Sequence, residues 1–300
     1  MNKLIKRMMS VFMAIVMVIV AFAPVTTKAE TKSQTMYVGE AFEGHIFGTT
    51  ITKVSSSNKK IVKAAKKKGQ KYAYTLEAKK AGKATVTVTY KDYRSTKTYK
   101  LKITVKKADL TISAQPLDGG YALLKIKNNT KQVFDSVIYK YTFKAADGSI
   151  VKEEPTYRTY KVLAGKTAYE TIYVGRDTQI DYSQFSYKIV ALDRDPNYTY
   201  KNAKADEVVV KQKDVSEDGN YIKFKFNRKN NLNKSVAGVS YIIYYDAADQ
   251  IIGLDRYTFS LSKKETTTSP EYSVYISQYS HPTYDHYEIV TQAYSYVTKK

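Results

Sequence analysis

The chain has 300 residues, no cysteine, no tryptophan and a formal net charge of +21. A chain of this length holds two or three domains. Without cysteine it forms no disulfide, so each domain must be stable through its own core, and anchoring as a lipoprotein through an N-terminal cysteine is excluded.

Residues 1–29 are predicted to be a secretory signal peptide. Three basic residues precede an apolar run at 11–23, and Thr27-Lys28-Ala29 supplies small residues before Glu30. This order is typical of a signal peptide, with cleavage after Ala29. The alternative is an uncleaved membrane anchor, but the 13-residue run is shorter than the ~20 residues that span a bilayer. We therefore expect a secreted, extracellular protein, in part associated with the cell wall, with no transmembrane segment after cleavage.

Positive charge is concentrated in one part of the chain. Residues 30–107 contain 19 basic and five acidic residues, a net charge of +14, whereas residues 108–300 carry a net charge of only +3. Such asymmetry indicates an electrostatic partner for the first domain.

Two segments of the basic domain have the alternation of β-strands. Ala84, Val86, Val88 and Tyr90 alternate with threonine, and Tyr99, Leu101, Ile103 and Val105 alternate with lysine and threonine. A period of two predicts strands with one buried and one solvated face, joined by a connection at 91–95.

Three motifs in this domain carry a family resemblance. They are Met36-Tyr37-Val38-Gly39-Glu40, the Ser-Ser-Ser-Asn-Lys-Lys-Ile-Val segment at 55–62, and the Ala-Gly-Lys-Ala-Thr-Val-Thr-Val segment at 81–88. Residues 35–107 thus resemble the bacterial Ig-like domains of group 2, found in intimins, invasins and many exported surface proteins. Val54 stands where that family usually has tryptophan. The resemblance implies a β-sandwich in a surface protein.

The rest of the chain contains a duplicated unit. Asp118-Gly119-Gly120-Tyr121 returns as Asp218-Gly219-Asn220-Tyr221, and Ala145-Ala146-Asp147 returns as Ala247-Ala248-Asp249. An Asn-Asn segment, predicted to be a loop, is also repeated. Repeats about 100 residues apart indicate two copies of one domain.

Both copies resemble the domains named for an F-x-L-Y-D motif, on the frame of Phe143-Lys144-Ala145-Ala146-Asp147-Gly148 and of 244–253. The resemblance implies Ig-like sandwiches in an exported bacterial protein, in agreement with the many short predicted strands. The predicted fold class is therefore all-β, with three tandem Ig-like β-sandwich domains after a signal peptide. The predicted boundaries are 1–29 for the signal peptide, 30–107 for the basic domain, and 108–202 and 203–300 for the two repeats.

No catalytic constellation is evident, and neither a cofactor nor a catalytic residue is predicted. His45, His281 and His286 are the only histidines. His281 and His286 flank Asp285, a spacing that suits zinc poorly, so a surface loop is the preferred interpretation. We expect a protein that is not an enzyme.

Several aspartates are candidate calcium ligands. The pairs are Asp135 with Asp147 and Asp246 with Asp249, and a third group contains Asp193, Asp195 and Asn197. Calcium binds six to eight oxygens, whereas aspartate in a hairpin turn already has a structural role. No metal site is predicted.

A dense lysine cluster is the main candidate site. Seven lysines fall within thirteen residues, and 66–71 is predicted to lie in a loop; they are Lys59, Lys60, Lys63, Lys66, Lys67, Lys68 and Lys71. Such a patch attracts polyanions through salt-sensitive contacts. After residue 29 the chain has 39 lysines and six arginines, which argues against sequence-specific nucleic-acid binding. The alternative is a face that only aids solubility.

Tyrosine is abundant, with 23 of the 29 residues after position 107. Tyr139, Tyr141, Tyr241 and Tyr245 are predicted to point into strand cores, whereas others are predicted to form an exposed face near 272–296. Exposed tyrosines provide contact area for protein or sugar partners. The candidate partner-binding residues are Tyr272, Tyr275, Tyr279, Tyr284 and Tyr287.

These features predict a non-enzymatic secreted or cell-surface protein with a binding, adhesion or spacer role. The basic domain would associate with an anionic cell-wall polymer, polysaccharide or other anionic surface. The alternative is an accessory or structural subunit of an extracellular assembly, with another protein as partner through exposed strand edges.

Overall fold

A computed structural model of the chain describes residues 15–17, 30–195, 198–218, 221–275 and 284–298. The secondary structure of these residues consists of β-strands and two short 3-10 helices, at Asp118–Gly120 and Tyr182–Gln184. The predicted all-β fold of several Ig-like sandwiches is confirmed. Within the described ranges no helix is long and apolar enough to cross a bilayer. The predicted signal peptide lies outside them, except for 15–17.

The first module forms two sheets. Its strands are β1 (Ile15–Met17), β2 (Glu30–Tyr37), β3 (Ala41–His45), β4 (Thr50–Ser56), β5 (Val62–Lys66), β6 (Ala73–Ala78), β7 (Gly82–Lys91) and β8 (Thr96–Lys106). One sheet has the order β1-β3-β6-β5 and the other β2-β8-β7-β4. β1 lies within the predicted signal peptide and before the predicted start of this module at residue 30, and it pairs in parallel with β3. β2 pairs in parallel with β8.

The alternation of β7 and β8 places their apolar residues in the core, as the sequence predicts. Val86, Val88, Leu101 and Ile103 are buried and pack against Leu76 of the opposite sheet in one cluster. The intervening threonines and lysines face outward. The sandwich therefore has one apolar interior and a strongly basic exterior.

The first repeat also forms two sheets. Its strands are β9 (Leu110–Leu117), β10 (Tyr121–Asn128), β11 (Phe134–Lys144), β12 (Ile150–Val162), β13 (Thr167–Tyr173) and β14 (Ser186–Asp193). The sheet orders are β13-β10-β9 and β12-β11-β14. Phe134, Tyr139, Tyr141 and Phe143 of β11 lie in the core between them, which agrees with the prediction for the two tyrosines.

The second repeat has strands β15 (Tyr198–Asn202), β16 (Val208–Asp218), β17 (Tyr221–Asn230), β18 (Val236–Tyr245), β19 (Ile251–Leu261), β20 (Thr266–Thr268), β21 (Tyr272–Tyr275) and β22 (His286–Thr298). One sheet has the order β15-β22-β18-β19, and the other has the order β16-β17-β20 with β21 also paired to β17. β15 precedes the predicted boundary at 203, yet it pairs with β22 of the second repeat.

The duplicated asparagines have the same structural role in both copies. The side-chain amide of Asn128 donates to the carbonyls of Gln132 and Val162, at 2.8 and 3.1 Å. That of Asn230 donates to the carbonyls of Lys234 and Ser262, at 2.8 and 2.7 Å. Each asparagine is buried and ties its loop to the end of a neighbouring strand. Hydrogen bonding of this buried polar group explains why the turn recurs.

The two copies differ in which face of the long strand meets the core. In β11 the pairing shifts near Tyr139, which is the mark of a β-bulge. In β18 the pairing is regular until Tyr244, and Ile242 and Tyr244 lie in the core. Tyr241 lies on the opposite face instead. Tyr241 is buried, as predicted, but it does not lie between the two sheets of its own sandwich, and Tyr245 is only partly buried beside it. Successive side chains of a strand point to opposite faces, so Ile242 and Tyr244 fill the sandwich and Tyr241 faces away from it.

That opposite face packs against the first repeat. Val239, Tyr241 and Ile243 form a cluster with Tyr169 of β13, and the rings of Tyr169 and Tyr241 meet edge to face at 5.0 Å. Arg256 Nη1 lies 3.2 Å from Glu170 Oε1 across the same junction. The sheet that contains β18 is thus covered on both faces, once by its own sandwich and once by its neighbour.

The first module meets the first repeat through the Val38-Gly39-Glu40 motif. Arg194 Nε lies 2.9 Å from Glu40 Oε1, and its Nη2 donates to the carbonyl of Thr35 at 2.9 Å. A Cβ on Gly39 would lie 3.3 Å from Ala191 Cα, and the φ of Gly39 is +91°, so glycine suits this close approach. Burial raises the pKa of Glu40, and the Arg194 charge opposes that rise.

We predict that Arg194→Gln destabilises the protein by about 3 kcal/mol, because it leaves the buried Glu40 carboxylate without its counter-charge. This loss of stability should be largest near neutral pH and should become smaller at acidic pH. Without Arg194 the pKa of Glu40 rises further, and a neutral carboxyl needs no counter-charge. Chemical denaturation at several pH values measures this.

The control is Lys32→Gln, which removes an exposed ion pair with Glu30 and should cost less than about 1 kcal/mol. Equal effects of the two substitutions at neutral pH would contradict the importance of the buried pair.

Candidate polyanion-binding surface

The predicted lysine cluster follows the β5–β6 hairpin and the turn before it. Asn58 Oδ1 accepts the backbone N–H of Lys60 at 3.0 Å, an Asx turn that presents Lys59 and Lys60. β5 ends at Lys66 and β6 begins at Ala73. The loop predicted at 66–71 is therefore confirmed for 67–71, whereas Lys66 belongs to β5. Gly69 has a φ of +81° there, a conformation that glycine adopts readily.

Six of the seven lysines are exposed, and none of the six forms an ion pair with a residue in the described ranges. We call them the hairpin lysine surface; they are Lys59, Lys60, Lys63, Lys66, Lys68 and Lys71. They lie within thirteen residues of sequence, on one hairpin and its adjoining turn. Unpaired cations at such density raise the local positive potential, which attracts polyanions.

Lys67 differs from its neighbours. Its Nζ lies 2.8 and 2.7 Å from the two carboxylate oxygens of Glu43, and Glu43 Oε1 is also 2.9 Å from His45 Nε2. Glu43 and His45 are buried. Lys67 therefore compensates a buried carboxylate and is not offered to a ligand. No local sequence pattern indicates this pairing, because the partner is 24 residues away on β3.

Aromatic side chains adjoin the buried His45. Phe47 stacks on the His45 ring at 5.5 Å, and the Phe47 and Tyr72 rings are 5.3 Å apart. Phe47 is 50% exposed and Tyr72 36%. Because Tyr72 follows Lys71 directly in the chain, an exposed aromatic face borders the hairpin lysine surface.

The candidate tyrosine face does not form as predicted. Tyr272, Tyr284 and Tyr287 are partly buried and pack against the core of the second repeat. Tyr272 meets Tyr257 at 4.6 Å, and Tyr287 meets Phe224 at 5.3 Å. These rings complete the sandwich because β21 and the start of β22 close over it. The side chain of Tyr275 and the whole of Tyr279 lie outside the described residues.

Of the two histidine candidates in this loop, only His286 lies in the described part of the chain. His286 stacks on Tyr245 at 4.9 Å, with Nδ1 3.1 Å from Asp285 Oδ2. His281 lies outside the described part of the chain. Among the residues that are described, no group of three or more histidines, aspartates and glutamates is placed to hold a metal ion.

The aspartate candidates have structural roles. Asp147 Oδ1 accepts the N–H of Ser149 at 2.9 Å, and Asp246 Oδ1 accepts the N–H of Gln250 at 2.8 Å. Asp193 is ion-paired with Arg158 at 3.0 Å. Asp135 pairs with Lys161. Turn formation and ion pairing thus account for these carboxylates.

No protein-family model matches the chain, and no curated protein sequence matches it. Among solved structures, red sea bream transglutaminase is 13% identical over 62% of this chain and 31% of that chain, with a TM-score of 0.18. Trypsin-activated alpha-2-macroglobulin of Escherichia coli is 8% identical over 87% of this chain and 22% of that one, with a TM-score of 0.19.

A Salmonella alpha-2-macroglobulin mutant is 8% identical over 86% of this chain and 21% of that chain, with a TM-score of 0.15. The chain therefore spans less than a third of the length of these proteins. Similarity at these TM-scores carries no argument about function, and the two family resemblances in the sequence stay predictions.

We predict that Lys67→Gln lowers the free energy of unfolding by about 2 kcal/mol, because it removes two charge-assisted hydrogen bonds from the buried Glu43. Lys68→Gln, one residue away and exposed, should change it by less than about 0.5 kcal/mol. Urea denaturation of both variants tests this difference. If Lys67→Gln leaves the free energy of unfolding unchanged, Lys67 is as available to a ligand as its neighbours.

Proposed function

We propose that this chain is a non-enzymatic, exported binding protein whose first module associates with anionic polymers of the cell envelope. The observation that carries the proposal is the hairpin lysine surface, with six exposed lysines that have no carboxylate partner among the described residues. Their positive charge belongs to a module of net charge +14. An anionic polymer supplies the missing counter-charge.

The chemistry of lysine sets the kind of recognition. An ammonium group is a compact, strongly hydrated point charge, whereas arginine binds phosphate and bases through two parallel hydrogen bonds. Binding through lysines depends mainly on charge density and is weakened by salt, because it releases counterions from the polymer. We therefore infer that the module prefers linear polyanions of high charge density and does not recognise a particular nucleotide sequence.

The two repeats support a spacer role. They carry a net charge of only +3 over 193 residues, and buried contacts join each module to the next. Arg194 and Glu40 hold the first junction, and Arg256 and Glu170 hold the second. The basic module would hold the protein at the envelope, and the two repeats would extend away from it.

The alternative function, a subunit of an extracellular assembly joined through strand edges, is less well supported. β16 lies at an edge of its sheet, and its exposed stretch carries Lys211, Lys213, Asp214 and Glu217. The pairing with β17 also shifts between Gln212 and Asp214. Charges and bulges on an edge strand oppose pairing with another chain.

We predict salt-sensitive binding of the protein to long-chain polyphosphate and to isolated cell-wall material. Binding should weaken steeply between about 50 and 200 mM salt, as expected for release of several counterions. Replacing Lys66, Lys68 and Lys71 together by glutamine should weaken binding at low salt and make the salt dependence shallower by about two in the logarithmic slope. Fluorescence anisotropy and pull-down assays measure both.

The matched control replaces Lys204, Lys229 and Lys263, three exposed lysines of the second repeat, and should leave binding nearly unchanged. Absence of binding at about 50 mM salt, or binding that salt does not weaken, would overturn the proposal.

A further inference from the structure

The outer face of the β2-β8-β7-β4 sheet is built from lysine, threonine and serine. On β7 and β8 the outward side chains are Lys83, Thr85, Thr87, Thr89, Thr98, Lys100, Lys102 and Thr104, and β4 with the residue after it adds Lys53, Ser55 and Ser57. No carboxylate stands among these positions. We call this surface the Lys–Thr face. It belongs to the sheet opposite the one that carries the hairpin lysine surface.

Strand register arranges its donors in a regular pattern. Lys83 lies opposite Thr104, Thr85 opposite Lys102, and Thr87 opposite Lys100. Each lysine therefore has a threonine as its direct neighbour on the next strand. Lys83 and Lys102 are diagonal neighbours, a relation that separates residues by about 7–8 Å. Two ammonium groups and the intervening hydroxyls thus reach the same patch of surface.

A shallow depression of about 210 Å³ lies at this patch. Its polar lining consists of Ser57, Lys83, Thr85, Lys102 and Thr104. Ser57 Oγ accepts the backbone N–H of Thr85 at 2.9 Å, which leaves the hydroxyl proton free to be donated. Every side chain in the polar lining can donate a hydrogen bond, and none carries negative charge.

From this convergence of donors we propose that the Lys–Thr face binds the phosphate groups of a linear polymer, with one phosphate held in the depression between Lys83 and Lys102. Lysine, serine and threonine side chains are regular partners of phosphate oxygens, and hydrogen bonds from ammonium to an anionic oxygen are stronger than neutral ones. A tetrahedral phosphate presents several acceptor oxygens to donors from different directions. The inference rests on the proposed function, because it identifies the polymer class that the basic module takes.

Two charge-matched variants separate this face from the hairpin. Lys83→Gln with Lys102→Gln removes the two lysines of the depression, and Lys68→Gln with Lys71→Gln removes two from the hairpin. The first variant should bind long-chain polyphosphate about tenfold more weakly than the wild type, and the second should lose less. Circular dichroism and thermal unfolding establish that both variants are folded.

A third variant tests the hydroxyls without a change of charge. Thr85→Val with Thr104→Val should weaken polyphosphate binding about threefold and leave binding to polyglutamate, a carboxylate polymer, unchanged. Binding to a sulfated polymer is measured in parallel. Each variant should lose less affinity for the sulfated polymer than for polyphosphate.

The outcomes are distinguishable. A wild-type protein that binds none of the three polymers overturns the proposed function and the inference together. If it binds, but both charge variants lose equally or only the hairpin variant loses, the proposed function stands and the Lys–Thr face is not the phosphate site. Equal losses for phosphate, sulfate and carboxylate polymers would show general charge attraction and overturn the phosphate assignment.

Discussion

The arrangement of this molecule depends on two partly buried arginine–glutamate pairs, one at each junction between modules. Arg194 reaches Glu40 at the first junction, and Arg256 reaches Glu170 at the second. Burial raises the pKa of both glutamates, and the facing arginine opposes the rise. A buried pair contributes little net stability, but removal of one partner is costly. The pairs therefore act mainly to fix how neighbouring modules meet, supported by apolar packing such as Tyr169 on Tyr241.

Because the junctions are fixed, the basic and the near-neutral parts of the sequence form separate regions of the folded protein. The first module holds its lysines on the hairpin lysine surface and the Lys–Thr face, whereas the repeats are close to neutral. Lysines that serve the fold have carboxylate partners: Lys67 pairs with Glu43, and Lys97 pairs with Asp92. Lys32 and Lys79 also pair, with Glu30 and Glu77. Most other lysines of the module have no carboxylate partner among the described residues, and this excess is the physical basis for proposing an anionic polymer as its partner.

Local sequence patterns predict much of the fold, but they do not predict contacts between residues that are far apart in the chain. Alternation in β7 and β8 identified the buried and solvated faces, and the recurring asparagines marked loops that Asn128 and Asn230 fix in the same way. Alternation alone does not say which of two buried faces meets which neighbour. It predicts a buried Tyr241, but not that Tyr241 packs against Tyr169 of the first repeat. The same limit applies to the site: seven adjacent lysines look alike in sequence, and only the approach of Glu43 from β3 distinguishes Lys67.

The central claim is that polymer binding belongs to the unpaired lysines of the first module. The most direct test is the extent of acetylation of every lysine, measured by mass spectrometry with and without long-chain polyphosphate. The account predicts protection confined to lysines between 53 and 106, with Lys67 reacting slowly in both states because it is paired with Glu43. Protection spread evenly over the repeats, or no protection at a polymer concentration that saturates binding, would contradict it.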